Sequence, residues 1–342
     1  MTGRKLYFTE PYRTEIKEEE LPPPGENEIV IRTLYSAISA GTESLFFSGN
    51  QPELERQDRT ISCLAGPPGY PLSYGYSLVG EVVGVGGQVP PGNIGRHAFA
   101  FHPHQSHAVV NSTDAVILPM DMDPLDALFL PSMETAVTLV MDGAPLLGER
   151  VAVLGLGIVG LLTVFLLSGF PLDLLLCTDP SAARRKSAEE FAPAVCFSGT
   201  GEAAAYLEKM QKETDLRGVD LCYELSGNPR TLDEALSLTG FNSRICIGSW
   251  YGKKTHPLAL GGGFHRDRIK IFSSQVSTIA PEYTGRWNRV RRFGTVLQLL
   301  QKLKPGRFIS HRFPLEQAQH AYDLIMSGAE NLLQVVFVHK GD

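Results

Sequence analysis

The sequence predicts an α/β protein: a doubly wound parallel sheet joined to a second, mainly β domain. Three observations carry this. Val151–Leu154 is a short apolar strand that runs directly into Gly155, Gly157 and Gly160. From about Pro131 onward, apolar runs alternate with helical stretches. Before about Pro119 the apolar runs are short and punctuated by Gly and Pro.

The glycine spacing is the most specific of the three. In a GxGxxG turn the first glycine makes the tight turn and the second lets backbone approach a pyrophosphate. The third lets helix and strand pack closely, with the phosphate at the helix N-terminus. Alone the pattern is weak; its context raises it. A second apolar run, Leu174–Cys177, ends at Asp179, 19 positions after Gly160. That is near the offset for a carboxylate that accepts both hydroxyls of an adenosine ribose. Val151–Leu172 carries no charge and has the length of a membrane span. The three glycines suit strand–turn–helix instead, and the charged stretch Arg184–Glu190 begins the next helix.

The elements follow in order. Strands are expected at Glu28–Tyr35, Ser77–Val85, Arg96–Phe101, His107–Val110 and Ala115–Leu118, a barrel-like all-β pattern. The α/β region predicts strands at Val151–Leu154, Leu174–Cys177, Val195–Phe197, Leu221–Leu225, Ser243–Ile247 and Lys270–Ser273. Helices fall between them at Ile158–Leu167, Ala182–Phe191, Ala203–Gln211 and Thr231–Leu238. Crossovers of this kind build a parallel sheet covered on both faces. The tail predicts a helix at Arg291–Lys302, a strand at Ser310–Pro314, a helix at Leu315–Met326 and a strand at Leu333–Val338.

Composition bounds the function classes. The chain has 342 residues and a formal net charge of −6, so it holds two cores and shows no basic footprint for nucleic acid. No membrane association is expected. Its first residues, MTGRKLYFTEPYR, lack an apolar secretory run. The cysteines are Cys63, Cys177, Cys196, Cys222 and Cys246, with no CxxC pair. Buried, reduced thiols in a cytoplasmic protein are the expected state. A small-molecule substrate and a homodimer are the expected partners.

Along its whole length the chain resembles the medium-chain dehydrogenase/reductase superfamily. GYSLVGEVVGVG (Gly75–Gly86), PPGNIGRHAFAF (Pro90–Phe101) and VDLCYELSGN (Val219–Asn228) carry the likeness. The resemblance implies a GroES-like catalytic domain over residues 1–130 and 277–342. It also implies an inserted Rossmann domain over 131–276, with the active site in the cleft between them. SAISAGTES (Ser36–Ser44), FAFHPHQSH (Phe99–His107), Ser273–Ser277 and Arg286–Arg292 further resemble a branch described as bacteriochlorophyllide a dehydrogenase-like. That branch implies oxidation of a hydroxyethyl group on a bulky substrate. Phe46, Phe47, Trp250, Tyr251 and Trp287 are candidates to line a wide apolar cleft, with ordinary core packing the favoured reading for Phe46.

Departures from the superfamily pattern bear on metal. Ala40 stands where zinc-using members carry a cysteine, Tyr76 replaces the histidine of the GHE segment, and the third ligand position falls near Pro131. A catalytic zinc needs three N, S or O ligands. The four-cysteine structural lobe is also missing, so the chain reads as zinc-less. His102, His104 and His107 offer an HxHxxH spacing. In a strand, however, the first two would share a face and the third would point away.

The resemblance places Thr42 beside the reacting oxygen and Tyr76 where a zinc ligand would point into the site. Glu43 and His104 are further candidates for proton handling or for bracing the loop. The cofactor candidates are the backbone of Gly155–Gly160, including Gly157, Ile158 and Val159, with Asp179 on the ribose. The strand ends Ser226-Gly227, Gly248-Ser249 and Ser274-Gln275 join them, and Thr135 is implied under the nicotinamide. Asp179 favours NAD by repelling a 2′-phosphate; Arg184, just downstream, leaves NADP open. Three functions remain: a zinc-independent alcohol/ketone oxidoreductase, a quinone or enoyl reductase, and a cofactor-binding protein without turnover.

Overall fold

The computed structural model describes residues 1–190, 192–214 and 217–339, with Glu213 and Thr214 as backbone only. Packing divides the chain into two units, Met1–Pro131 with Leu297–Asp342, and Ser132–Val296. Sequence put the return to the first unit at residue 277. Residues 277–296 instead pack with the second unit: Tyr283 Oη donates to Met141 O at 2.7 Å, and Arg292 Nη2 donates to Glu134 Oε1 at 2.5 Å.

The first unit opens on an antiparallel hairpin, β1 (Thr2–Glu10) and β2 (Arg13–Glu20), turned at Tyr12 with φ +64°. Sequence missed both strands. The central strand β3 (Glu28–Ala37) follows, then helix α1 (Ala40–Ser48). α1 was also missed, because Leu45, Phe46 and Phe47 are consecutive buried residues without helical spacing. It ends in a Schellman turn: Gly49 takes φ +73° and Asn50 N donates to Leu45 O at 2.8 Å.

β4 (Leu78–Val85), β5 (His97–Ala100), β6 (His107–Asn111) and β7 (Ala115–Ile117) match the expected strands within two residues. β5 stops at Ala100, so His102 and His104 lie in a loop and the strand argument made for them does not apply. After the short helix α2 (Pro124–Ala127), α3 (Leu130–Gly143) leads into the second unit.

There β8 (Arg150–Leu154), α4 (Ile158–Leu167), β9 (Leu174–Thr178), α5 (Ala182–Glu189), β10 (Val195–Phe197) and α6 (Thr200–Thr214) alternate. β11 (Val219–Glu224), α7 (Thr231–Leu238), β12 (Thr239–Ile247), the short α8 (Gly263–Arg266) and β13 (Lys270–Ser273) complete the sheet. Phe191, placed by sequence at the end of α5, lies outside the described residues. The strand order is β10-β9-β8-β11-β12-β13, every neighbouring pair parallel. This doubly wound order reverses between β8 and β11, the point outside whose carboxyl ends ligands bind in such sheets. β8 and β9 are buried at every residue, as strands covered on both faces must be.

α9 (Arg289–Leu303) precedes the tail strands β14 (Ile309–Pro314) and β15 (Gln334–Val338), with α10 (Ala318–Met326) between them. β15 pairs antiparallel with β3 and so ties the C-terminal segment into the first unit's sheet. Ile29, Ile31, Leu78, Val82 and Ala98 form one core of this unit; Phe8, Phe46, Phe47, Tyr322 and Phe337 belong to another. Among the described residues no helix is long and apolar enough to cross a membrane. The uncharged Val151–Leu172 stretch resolves into β8 and the ten-residue α4. The five cysteines are free; Cys177, Cys222 and Cys246 are buried as expected, whereas Cys63 is exposed and Cys196 half-buried.

Candidate active site

In the second unit the glycine turn is built by close contacts. Gly155 takes φ +97°, and a Cβ there would lie 2.7 Å from the Ser226 backbone. A Cβ on Gly160 would lie 2.0 Å from Gly155 O. Gly157 differs: its φ is −64°, and a Cβ there would meet nothing within 4 Å. Its hydrogen therefore faces open space at the head of α4. Gly157 is the N-cap, no side chain caps the helix, and the first-turn N–H groups of Ile158 and Val159 are of the kind that bind an anion.

Asp179 stands at the end of β9, 4% exposed. Its Oδ2 accepts Leu156 N and its Oδ1 accepts Ser181 N, both at 2.8 Å. The carboxylate thus ties the glycine turn to the next loop. Arg184 does not point into solvent with the helix face: its Nη1 lies 3.7 Å from Asp179 Oδ2. Arg185 likewise folds back, donating to Asp179 O at 2.7 Å.

Further along the same edge, Ser226 donates through N and Oγ to Glu224, which is fully buried and also accepts from Tyr251 Oη at 2.5 Å. Burial, with that bond to Glu224, raises the Tyr251 phenol above its ordinary value. Gly227 N donates to Ser249 Oγ at 2.9 Å and Gly248 N to Glu224 O at 3.0 Å. Ser226, Gly227, Gly248 and Ser249 are therefore gathered around Glu224, Ser226 on its carboxylate and Gly248 and Ser249 on its backbone carbonyl. Sequence reasoning missed Glu224, although an acid ending an apolar strand was its visible signal. Ser274 instead turns to Asp142 (2.6 Å), and Gln275 accepts from Ser277 N. Thr135 is half-buried on α3, next to Glu134, which forms a buried ion pair with Arg292. Burial raises the Glu134 carboxyl, and the adjacent guanidinium opposes that rise.

In the first unit the hydroxyl candidates meet. Tyr76 Oη donates to Ser39 Oγ at 2.5 Å. Burial pushes the Tyr76 phenol up to about 12, against the lowering effect of the nearby Ser39 and Thr42 hydroxyls. At neutral pH it is a protonated donor. Ser39 is the N-cap residue of α1 and its carbonyl accepts from Thr42 N at 3.1 Å, so the helix start fixes Thr42 and Ser39 together and leaves the Ser39 hydroxyl uncommitted to the helix.

Glu43 and His104 lie in the interior, both 0% exposed, with His104 Nε2 2.9 Å from Glu43 Oε2. Glu43 also accepts from Tyr322 Oη (2.5 Å) and Ser39 N (2.7 Å). Its two oxygens are thus committed. His102 accepts from Gln105 Nε2 at 3.0 Å, and burial pushes it down to about 4. His107 pairs with Ser106 Oγ at 3.1 Å. Among the described residues no three His, Cys, Asp or Glu side chains converge as a metal-binding group.

Two of the aromatics offered for a cleft wall are core residues. Phe46 stacks on Tyr74 at 3.9 Å, and Phe47 stacks on Tyr322 at 5.0 Å; both are 0% exposed. Trp250 is 39% exposed, and Trp287 lies under the Arg291 guanidinium at 4.2 Å.

No family model matches the chain. It is 24% identical over 310 residues to D-guloside 3-dehydrogenase of Escherichia coli (strain K12), covering 87% of this chain and 88% of that protein. It is 25% identical over a 365-position alignment to L-threonine 3-dehydrogenase of Thermococcus kodakarensis, covering 96% of each. Among solved structures, an alcohol dehydrogenase (rspB) of E. coli CFT073 complexed with NADH superposes with TM-score 0.77 at 20% identity, covering 98% of this chain and 99% of that one. A zinc-dependent alcohol dehydrogenase from Streptococcus pneumonia superposes with TM-score 0.78 at 18% identity, covering 99% of each. The chain shares the fold of these alcohol dehydrogenases over nearly its whole length, and its curated relatives are dehydrogenases.

Proposed function

We propose that this chain transfers hydride between a nicotinamide cofactor and an alcohol or ketone without a catalytic zinc. One observation carries the reading: Tyr76 donates to Ser39 Oγ, with Thr42 close by, in the segments where the resemblance implies metal ligands. Ala40 and Pro131 have no donor atom for zinc, and the Tyr76 phenol is held protonated. Glu43 and His104 are spent on each other and on Tyr322. This donor set does not fit a zinc ion.

The residues of the second unit do fit a dinucleotide. The open position at Gly157 and the uncapped start of α4 suit a pyrophosphate, and Asp179 suits the ribose hydroxyls. Bound there, the cofactor supplies or accepts the hydride. NAD is the preferred form, since the fixed Asp179 carboxylate would meet a 2′-phosphate.

The proton side falls to the hydroxyls. Rotation about its Cζ–O bond re-aims the Tyr76 proton from Ser39 Oγ to a substrate oxygen. Thr42 adds a second donor, so charge developing on that oxygen is stabilised by oriented O–H groups rather than by a metal. The substrate class favoured is a secondary alcohol or its ketone on a bulky molecule, as the branch resemblance implies.

The test combines metal analysis with turnover. The purified protein should carry no stoichiometric zinc and should reduce members of a ketone panel with NADH, unaffected by chelators. About one zinc per chain, lost together with activity, overturns the reading. Turnover confined to enones points to a C=C reductase, and tight cofactor binding without turnover on either panel points to a binding protein.

A further inference from the structure

The first unit contains a continuous buried polar chain that the hydride reaction does not itself require. Tyr322, Glu43, His104, Ser36 and His339 are linked in that order. Ser36 Oγ lies 2.8 Å from His104 Nδ1 and 3.0 Å from His339 Nε2. Four of the five are 0% exposed and His339 is 6% exposed. Phe337 packs edge-on against the His104 ring at 5.0 Å, and Phe8 and Phe47 close around Tyr322.

The Glu43–His104 pair lies next to both segments that carry the Tyr76–Ser39 bond. Glu43 Oε1 accepts Ser39 N at 2.7 Å, and Ser39 carries the hydroxyl that receives the Tyr76 proton. His104 lies beside the residue before Tyr76, which must be glycine: Gly75 has φ +120°, and a Cβ there would stand 2.8 Å from His104 Nε2. One bonded pair therefore adjoins the two segments, Ser39–Thr42 and Gly75–Tyr76, that must stay in register for the Tyr76–Ser39 bond to form.

We infer that Glu43 and His104 form a positioning dyad that fixes Ser39 and Tyr76 against each other. The dyad does by hydrogen bonding what a metal does by coordination. This inference rests on the proposed role of Tyr76 as donor to the substrate oxygen. Neither residue touches substrate, so both act through Tyr76. The rest of the chain serves the pair. Tyr322 supplies a second donor to Glu43, and Ser36 occupies the far nitrogen of His104, which sets the ring plane. The imidazole of His339 is held neutral, so it can answer Ser36 without adding charge.

The test is a double-mutant cycle on the full-length protein with a ketone substrate and saturating NADH. Glu43→Gln keeps the shape of the side chain, and His104→Gln is the second variant. Each should lower kcat about 10- to 100-fold, the scale expected for a misplaced donor, with the NADH Kd unchanged. In a Tyr76→Phe background each should cost less than about threefold more. Val82→Ala, in the separate core cluster of the same unit, controls for general loosening and should lower stability without coupling to Tyr76.

A readout without turnover uses tyrosine labelled with carbon-13 at Cζ, the Tyr76 signal being assigned by its loss in Tyr76→Phe. Its titration midpoint should fall in Glu43→Gln, since the Glu43 charge helps to hold the phenol protonated. Equal kcat losses in both backgrounds, with an unmoved Tyr76 midpoint, overturn the dyad. A silent Tyr76→Phe overturns the donor reading itself and takes this inference with it.

Discussion

Two alanine substitutions three residues apart separate what the glycine turn does for the fold from what it does for the ligand. In Gly160→Ala the new methyl would lie 2.0 Å from Gly155 O, far inside van der Waals contact. Gly155 has little room to yield, because it sits at φ +97° and a Cβ on it would already lie 2.7 Å from the Ser226 backbone. So α4 must move by about 1 Å. Overpacking of this kind costs about 1–3 kcal/mol, partly offset by about 1 kcal/mol from replacing a helical glycine. Gly160→Ala should therefore lower the melting temperature and also weaken NADH binding. In Gly157→Ala the methyl meets no protein atom within 4 Å, and φ −64° suits any residue. Stability should hold within about 0.5 kcal/mol. The methyl instead occupies the approach of a pyrophosphate, where helix-terminus contacts contribute up to about 2 kcal/mol. The expected loss is about 30-fold in Kd. NADH fluorescence titration and thermal unfolding on the two variants decide the matter. Wild-type affinity in Gly157→Ala would show that no phosphate is held at this turn, and the cofactor site would have to be sought elsewhere.

Three further outcomes are expected. Tyr76→Phe and Thr42→Val should each lower turnover by about 10²–10³ with cofactor Kd nearly unchanged, and full turnover in both would remove these hydroxyls from the mechanism. Asp179→Ser should weaken NADH binding and narrow the preference over NADPH; tighter NADPH binding by the unmodified protein would mean that Arg184, 3.7 Å from the carboxylate, governs the choice instead. His339 is pushed down to about 3 by burial and by the neighbouring His104, so the folded state binds fewer protons than the unfolded chain between that value and 6.5. Its contribution to stability is whole above pH 6.5 and declines at about 1.4 kcal/mol per pH unit as pH falls through that window. His339→Gln should flatten the slope measured by urea unfolding, and an unchanged slope refutes the assignment.

What the sequence revealed depended on whether the signal was local. α4 at Ile158–Leu167 and α7 at Thr231–Leu238 have the expected bounds, because glycines and apolar spacing mark both within a few residues. β2 carries RTEIKEEE, and only its register against β1, with Ile16 opposite Leu6, makes it a strand. α1 gave no helical period because three buried residues stand side by side. The hydroxyl candidates Thr42 and Tyr76 were legible through the segments that carry the family likeness. Their supports were not: Glu43 meets Tyr322 across 279 residues, and Ser36 meets His339 across 303. Pairings of that range come from tertiary packing and leave no mark in spacing. The histidine run misled for a related reason, since β5 stops at Ala100 and the loop after it turns His104 inward.

The burial of Glu43 gives the site its rigidity. A carboxylate with no exposed surface loses its hydration, a penalty of several kcal/mol even after relaxation. That cost is tolerable only where fixed donors replace the water, and three do so here: Ser39 N, Tyr322 Oη and His104 Nε2. Each is therefore worth more than an ordinary hydrogen bond, because removing it strands a buried charge. A metal holds a catalytic oxygen in place through short coordinate bonds to rigid ligands. This chain has no thiolate or imidazole at those positions, and a loose cluster of hydroxyls would pay the ordering cost at each turnover. Anchoring Ser39 to a carboxylate that cannot afford to lose a donor settles that cost during folding. Burial, with a smaller contribution from the Glu43 charge, keeps Tyr76 a poor acid that remains protonated. In the proposed reaction such a site would stabilise an alkoxide-like oxygen by a pre-aimed O–H without giving up its own proton prematurely.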